Sequence, residues 1–377
     1  MRDSTKIIRS SLTPAIPGEP LHPGPVFAAP YHTPGDPSEA AYTYARSHNP
    51  TWTALEQAIG QMESGSESGS GYQASALVFA SGMAACTAIF GAVLRPGDAV
   101  VLPSNAYFAA RVLVQEYFAK MGIELRTAPT ANNAQAALLE GAKLLWLESP
   151  SNPTMEVCDI ASLCEAAHRA GALVAVDNTT PTPLGQLPLA LGADFSVASD
   201  AKSMTGHSDI LLGHVAVRNP ELRAKIDQWR TLTGGVLGPM EAWLGLRSIA
   251  TLPLRLERSC ENAQRLAEFL TTRREVESVL YPGLATHPGH AIAAKQMRHF
   301  GAVLSFVLGS RAAAETFLSS SKLLTEATSF GGITTTAERR ARWGGDAVAE
   351  GFIRMSAGCE AIEDLIEDVS QALDAVR

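Results

Sequence analysis

Short apolar runs alternate with longer amphipathic ones between about residues 76 and 217. Ala76-Leu-Val-Phe79, Ala99-Val-Val-Leu102, Leu144-Leu-Trp-Leu147, Leu173-Val-Ala-Val176 and Phe195-Ser-Val-Ala198 read as buried strands, since such runs leave no polar face for solvent. Helical patterns lie between several of them. Ile160–Ala170 is one, closed by Gly171 where a left-handed residue commonly ends a helix. Strand and helix in alternation predict a mostly parallel sheet covered on both faces. Such sheets bind ligands beyond the carboxyl ends of their strands, so the polar residues after each strand are the ones to search for chemistry.

The pattern changes after residue 255. A long helix, Arg255–Arg274, precedes a strand at Ala302–Leu308, a helix near Ala312–Ser320 and a final helix from Ile362 to Val376, which together predict a smaller α/β domain. Met240–Leu254 is the expected link. At the other end, Pro14, Pro17, Pro20, Pro23, Pro25, Pro30, Pro34, Pro37 and Pro50 exclude a mainly helical segment, because proline lacks the amide donor and clashes with the preceding turn. The expected division is an extended arm over 1–50, a larger domain over 51–245 and a C-terminal domain over 246–377. Residues 64–71, SGSESGSG, predict a flexible surface loop.

Composition narrows the function classes. The chain has 377 residues, 46% hydrophobic and 18% charged, the balance of a soluble globular protein, and its length suggests two domains. A net charge of −8 argues against nucleic acid as a partner. No run of about 18 uncharged apolar residues suggests a membrane span, and MRDSTKIIRS lacks a secretory apolar core, so a cytoplasmic location is expected. The five cysteines are scattered and never spaced CxxC, which fits buried thiols better than a disulfide framework or a zinc site. His287-Pro-Gly-His290 reads as a turn.

Four strand ends carry the candidate chemistry. In Phe79-Ala-Ser81-Gly82-Met83 a strand runs into a helix, whose free N–H groups favour an anion, although Ser-Gly turns also occur for steric reasons alone. Asp177 follows an apolar strand and is either a cap for the next turn or a buried acid paired with a protonated ring nitrogen. In Ser199-Asp-Ala-Lys202, Lys202 closely follows a buried strand, where burial lowers its pKa and frees the amine to attack an aldehyde; a salt-bridged structural lysine is the other reading. Glu148-Ser-Pro-Ser-Asn152-Pro153 presents Asn152 above the sheet, or is simply a rigid turn.

Together these segments resemble the Cys/Met-metabolism family of pyridoxal-phosphate enzymes, from Tyr42-Thr-Tyr44-Ala-Arg46 to Arg354-Met-Ser356-Ala-Gly358, with Lys202…Gly206-His-Ser-Asp209 the most specific stretch. The resemblance implies the aspartate aminotransferase-like fold (fold type I of pyridoxal-phosphate enzymes), with pyridoxal 5′-phosphate as cofactor. It implies that Lys202 is the Schiff-base lysine and a proton shuttle, and that Asp177 keeps the pyridine nitrogen protonated. Ser81, Gly82 and Met83 would form the phosphate cradle with Ser199. Tyr107 would stack on the ring and act as an acid/base. Tyr44 and Arg46 would reach across a subunit interface to the neighbour's phosphate, in a homotetramer of two tight dimers. Arg354 would grip the substrate carboxylate near Ser329 and Asn152.

Three departures stand out. Ala201 replaces the usual threonine beside the lysine, Thr334 stands where many members have an acid, and Ala337-Glu-Arg-Arg-Ala-Arg-Trp343 is not the usual proline- and histidine-containing run. The resemblance implies γ-elimination on cystathionine or a related thioether, in the chemistry of methionine and cysteine metabolism and transsulfuration. Cystathionine γ-synthase and methionine γ-lyase activities share the same residues. A non-catalytic relative of the fold is the alternative of another class, and it conflicts with the presence of Lys202, Asp177 and Tyr107. With Thr334 neutral, the Glu338–Arg342 run is the expected contact for the distal end of the substrate.

Overall fold

A computed structural model describes residues 2–65 and 73–376. Most of the 64–71 loop therefore lies outside the described residues. The larger sheet has seven strands: β1 (Ser75–Phe79), β2 (Ala99–Pro103), β3 (Glu124–Ala128), β4 (Ala142–Glu148), β5 (Leu173–Asp177), β6 (Phe195–Ala198) and β7 (Gly213–Val217). Their spatial order is β1-β7-β6-β5-β4-β2-β3, and every pair is parallel except β7 with its two neighbours. The five runs singled out above are β1, β2, β4, β5 and β6.

The second sheet contains β8 (Val276–Leu280), β9 (Val303–Leu308), β10 (Thr325–Glu326), β11 (Thr336–Arg339) and β12 (Phe352–Ser356), in the order β10-β11-β12-β9-β8. It is mainly antiparallel, and one face packs on the helices Leu252–Thr271, Arg311–Ser320 and Ile362–Asp374, which bury Leu266, Leu270, Phe317, Leu365 and Val369 against Leu304, Phe306 and Ile353. The molecule thus joins a mostly parallel α/β sheet to a second, smaller sheet.

Helices cover both faces of the larger sheet. In chain order the first five are α1 (Asp3–Ile8), α2 (Pro50–Ser64), α3 (Gly82–Val93), α4 (Phe108–Leu113) and α5 (Ile160–Arg169). Asn49 caps α2 by accepting from Thr51 N at 2.8 Å, with Pro50 in the first helical position where its missing donor costs nothing. Gly171 follows α5 at φ +80°, as its position predicts. On one face α3 packs through Ile89 and Phe90 on Trp146 and Val215; on the other α2 packs through Leu55 and Ile59 on Val78 and Ala216.

One expectation needs correction. The arm is not extended throughout: it begins with α1, whose Ile7 is buried against α2, and it then lies on its own chain, Trp243 Nε1 donating to Pro23 O at 3.0 Å and Asn49 Nδ2 to Val26 O at 3.0 Å. The expected link, 240–254, is helical: it forms the helix Pro239–Ile249 and the start of Leu252–Thr271.

Candidate active site

The carboxyl ends of β4, β5 and β6 meet the start of α3 around a cavity of about 310 Å³. Ser81, Gly82, Met83, Tyr107, Asn152, Asp177, Ser199, Lys202, Ser329 and Arg354, scattered over 270 positions in the sequence, all line it. More open clefts of about 670 and 440 Å³ lie elsewhere, walled by side chains such as Arg311, Glu315 and Arg339 or Glu56 and Gln61, without a lysine in either.

Ser81 leaves β1 in an extended conformation and caps α3, its Oγ accepting from Ala84 N at 3.1 Å. Gly82 is required by space: a Cβ there would lie 2.5 Å from Cβ of Ser199. The close approach brings the amino end of α3, with its unpaired N–H groups, against the Ser199 hydroxyl on one wall.

Asp177 ends β5. Its Oδ1 accepts from Thr179 N at 3.0 Å and from Thr179 Oγ1 at 2.5 Å, and the same hydroxyl accepts from Ser199 N at 2.8 Å, tying β5 to the lysine turn. So the capping role and the place in the cavity both hold for this residue. Burial raises the Asp177 carboxyl, against the Thr179 hydrogen bonds and the charges of Lys202 and His214. Burial lowers the Lys202 amine, Arg354 adds to the effect and Asp177 opposes it. Lys202 Nζ stands 5.5 Å from the centre of the Phe330 ring, and Cζ of Arg354 lies at the same distance from that ring.

Arg354, on β12, is buried. It donates to Asn152 Oδ1 at 3.0 Å, to Ser329 O at 2.7 Å and to Glu338. Burial lowers its guanidinium to about 10, against the pull of Glu338, and it remains a cation at neutral pH. Tyr107 stands at the mouth, 44% exposed. Its phenol is raised chiefly by burial, with Arg340 acting the other way.

Several lining residues stand outside the expected set. Glu148 is the foremost. It pairs in register with Asp177, is buried, and accepts from Tyr107 N at 2.6 Å and Asn152 N at 2.8 Å, so one carboxylate orients both. Burial and the neighbouring Asp177 push it up to about 8. Its place immediately after an apolar strand, the signal that exposed Asp177, would have found it. Cys86 and Phe330 also line the cavity, as does Arg340 from the expected Glu338–Arg342 run.

Two expected residues are elsewhere. Tyr44 and Arg46 do not line the cavity of their own chain; Tyr44 is 48% exposed, and Arg46 donates to Thr231 O at 2.7 Å. Of the Glu338–Arg342 run, only Arg340 lines the cavity. Glu338 faces inward but binds Arg354, Arg340, Arg342 and Trp343, while Thr334 is exposed and does not line the cavity. Among the described residues no cluster of histidine, cysteine, aspartate and glutamate could hold a metal ion, and no helix is long and apolar enough to cross a membrane.

The family described as Cys/Met metabolism PLP-dependent enzyme matches residues 26–374. A putative cystathionine γ-lyase of Streptomyces coelicolor is 54% identical over 99% of the chain and 93% of its own length. Among solved structures, cystathionine γ-synthase from Xanthomonas oryzae in complex with aminoacrylate and cysteine is 34% identical with a TM-score of 0.92, covering 100% of this chain and 98% of its own. An apo methionine γ-lyase from Micromonospora echinospora is 35% identical with a TM-score of 0.90, covering 99% of both chains.

Proposed function

The chain belongs to the Cys/Met-metabolism pyridoxal-phosphate enzymes, and from that premise we propose that its cavity performs γ-elimination on cystathionine or a related thioether. The observation that carries the proposal is one cavity holding a half-buried amine, a half-buried acid and two arginines, Arg354 and Arg340. The 54% identity to the putative γ-lyase of Streptomyces coelicolor supports elimination over replacement.

The residues present fit pyridoxal phosphate. The wall formed by Ser81, Gly82, Met83 and Ser199 is a place for a phosphate, since glycine leaves backbone N–H groups within reach and the helix end favours an anion. Asp177 is half-buried; burial raises its carboxyl, while the charges of Lys202 and His214 favour the ionised form that would suit a partner with a protonated ring nitrogen. Lys202, with its lowered amine, would bind the aldehyde carbon. When bound, the cofactor supplies the electron sink for a carbanion at the substrate α-carbon.

The protein's own groups then divide the remaining work. Arg354, held by Asn152, Ser329 and Glu338, presents its guanidinium to the substrate carboxylate. Lys202 Nζ, as a free amine, would take the substrate's α-proton and move protons between neighbouring carbons. Tyr107, whose raised phenol keeps its proton at neutral pH, stands at the mouth and delivers that proton to the departing sulfur.

Within the expected Glu338–Arg342 run, Arg340 is the residue that lines the cavity. Its guanidinium is held by Asp346 at 2.6 Å and by Glu338 at 2.7 Å while lining the cavity, so it offers a fixed cation to the far carboxylate of a dipolar thioether. Arg340→Gln should change the ratio of kcat/KM for cystathionine over homocysteine by about tenfold, roughly 1.4 kcal/mol, lowering the larger substrate more. An unmoved ratio removes Arg340 from recognition. Assays of wild type with cystathionine, methionine and an activated homoserine, each with and without cysteine, test the reaction itself. A protein that ignores cystathionine but condenses the activated homoserine with cysteine is a γ-synthase.

The same reading makes the protein an obligate oligomer, a tetramer of two tight dimers in which the arm carries Tyr44 and Arg46 to the neighbour's phosphate. Ile16, Leu21, Phe27 and Tyr44 are exposed on an arm tied down only in part, which is the pattern of a segment completed by a partner. Sedimentation should show no active monomer even at nanomolar concentration. An active monomer sinks this assignment.

A further inference from the structure

Three charged side chains lie fully buried just behind the lysine turn and have no part in the chemistry above. His214, on β7, faces the same side as Ala216, opposite Val78 of β1 and Ala198 of β6. Its Nδ1 lies 2.8 and 2.9 Å from the two carboxylate oxygens of Asp200, and its Nε2 lies 3.0 Å from Glu63 Oε1, at the end of α2. All three residues are 0% exposed. Ser196 on β6 donates to the same Glu63 oxygen at 2.8 Å. A buried ion triad gives no more stability than well-packed apolar groups would, so its position calls for another account.

That position is informative. Asp200 is two residues before Lys202. Its carbonyl accepts from Thr205 N at 3.1 Å and Thr205 Oγ1 at 2.8 Å, which closes the turn that carries the lysine. On its outer side the turn is held by Arg255, which donates to Ser203 O at 2.8 Å and Met204 O at 3.0 Å. Ala201 has only a methyl group to offer. Asp200, gripped by His214, is therefore the side-chain anchor at the strand end of the turn.

We propose that His214 is a positioning residue for Lys202: clamped between Asp200 and Glu63, it fixes the turn that carries the amine and keeps a permanent cation behind Asp177. The proposal rests on the reading of Lys202 as the cofactor lysine. Burial alone would pull the imidazole down, but Asp200 and Glu63 raise it to about 10. Because this lies above the ordinary 6.5, the triad's stabilisation is full below pH 6.5 and is lost as pH rises through about 10. The charged groups acting on it are Glu63 from α2 and Asp200 from the turn, with its own field reaching Asp177 on β5; β1 and β6 present Val78, Ser196 and Ala198, none charged.

The test begins with nitrogen NMR of histidine-labelled holoenzyme. One imidazole, assigned by its loss in His214→Gln, should carry protons on both nitrogens at pH 8; a neutral ring there overturns the proposal. Asp200→Ala should slow capture of pyridoxal phosphate by the apoprotein about tenfold or more and lower kcat while leaving KM within about threefold, since Arg354 still holds the carboxylate. Asp200→Asn, whose amide oxygen can still accept from Nδ1–H, should restore capture to within about threefold and lower the pH at which the imidazole titrates. Wild-type capture in Asp200→Ala overturns the proposal. Should that variant not fold, an unmoved imidazole titration or tenfold slower capture in Asp200→Asn overturns it instead. Lys202→Ala serves as control. Cofactor still trapped on that variant by borohydride means the reading of the site has failed. Trapping lost there, with Asp200→Ala behaving as wild type, means only this inference has failed.

Discussion

Lys202→Ala should have no measurable turnover and should lose the near-ultraviolet to violet absorbance of covalently held cofactor, even where cofactor still binds. Two jobs disappear with one side chain. The aldehyde loses its amine partner, and the substrate loses the base that takes the α-proton. Burial that lowers the amine, with Arg354 beside it, prepares the group for both, because an ammonium can neither attack a carbonyl carbon nor accept a proton. A loss of about 10⁴-fold or more is expected, since the residue acts in several steps rather than one. The fold should survive: among the described residues Lys202 Nζ donates no hydrogen bond and stands 5.5 Å from the Phe330 ring, while the turn is held by backbone bonds and by Asp200 and Arg255. Thermal unfolding of the apoprotein close to wild type would establish that point. A variant with normal activity sinks the assignment outright.

How far the sequence exposes this site follows from the range of the signals. An apolar run of four bounded by polar residues is local, so β1, β2, β4, β5 and β6 were legible, and with them the strand ends that carry Ser81, Asp177 and Lys202. β3 escaped because Glu124–Ala128 is an edge strand with exposed and half-buried positions, which leaves no apolar run. β7 escaped because its apolar run is broken by Gly213 and His214, each there for a long-range reason: a Cβ at 213 would lie 2.6 Å from Ser81 O, and His214 pairs with groups 14 and 151 residues away. Glu148 was within reach of the strand-end argument. Arg340 was legible only as one of the Glu338–Arg342 run, because it takes the second sheet to bring this one side chain of the run into the cavity while Thr334 faces solvent.

Asp177→Asn separates charge from shape at the other end of the cavity. The asparagine oxygen can still accept from Thr179 N and Oγ1, so the tie between β5 and the lysine turn remains, but no carboxylate is left to hold a protonated ring nitrogen. Turnover should fall by about 10²-fold or more, and Asp177→Ala, which also loses the tie, should fall by several orders of magnitude. Stability gives a second readout with a definite sign. The folded carboxyl is raised above its ordinary 3.8, so its contribution to the apoprotein is full below that pH and is lost as pH rises through the folded value. At neutral pH the asparagine apoprotein should thus be at least as stable as wild type. Bound cofactor should reverse the order, because a cationic ring nitrogen would meet a carboxylate in the wild type and a neutral amide in the variant. The gain in Tm on cofactor binding should then be larger for wild type than for Asp177→Asn. Equal gains together with near-normal turnover would reduce Asp177 to a cap for Thr179, and the electron sink would need another partner among the residues of the cavity.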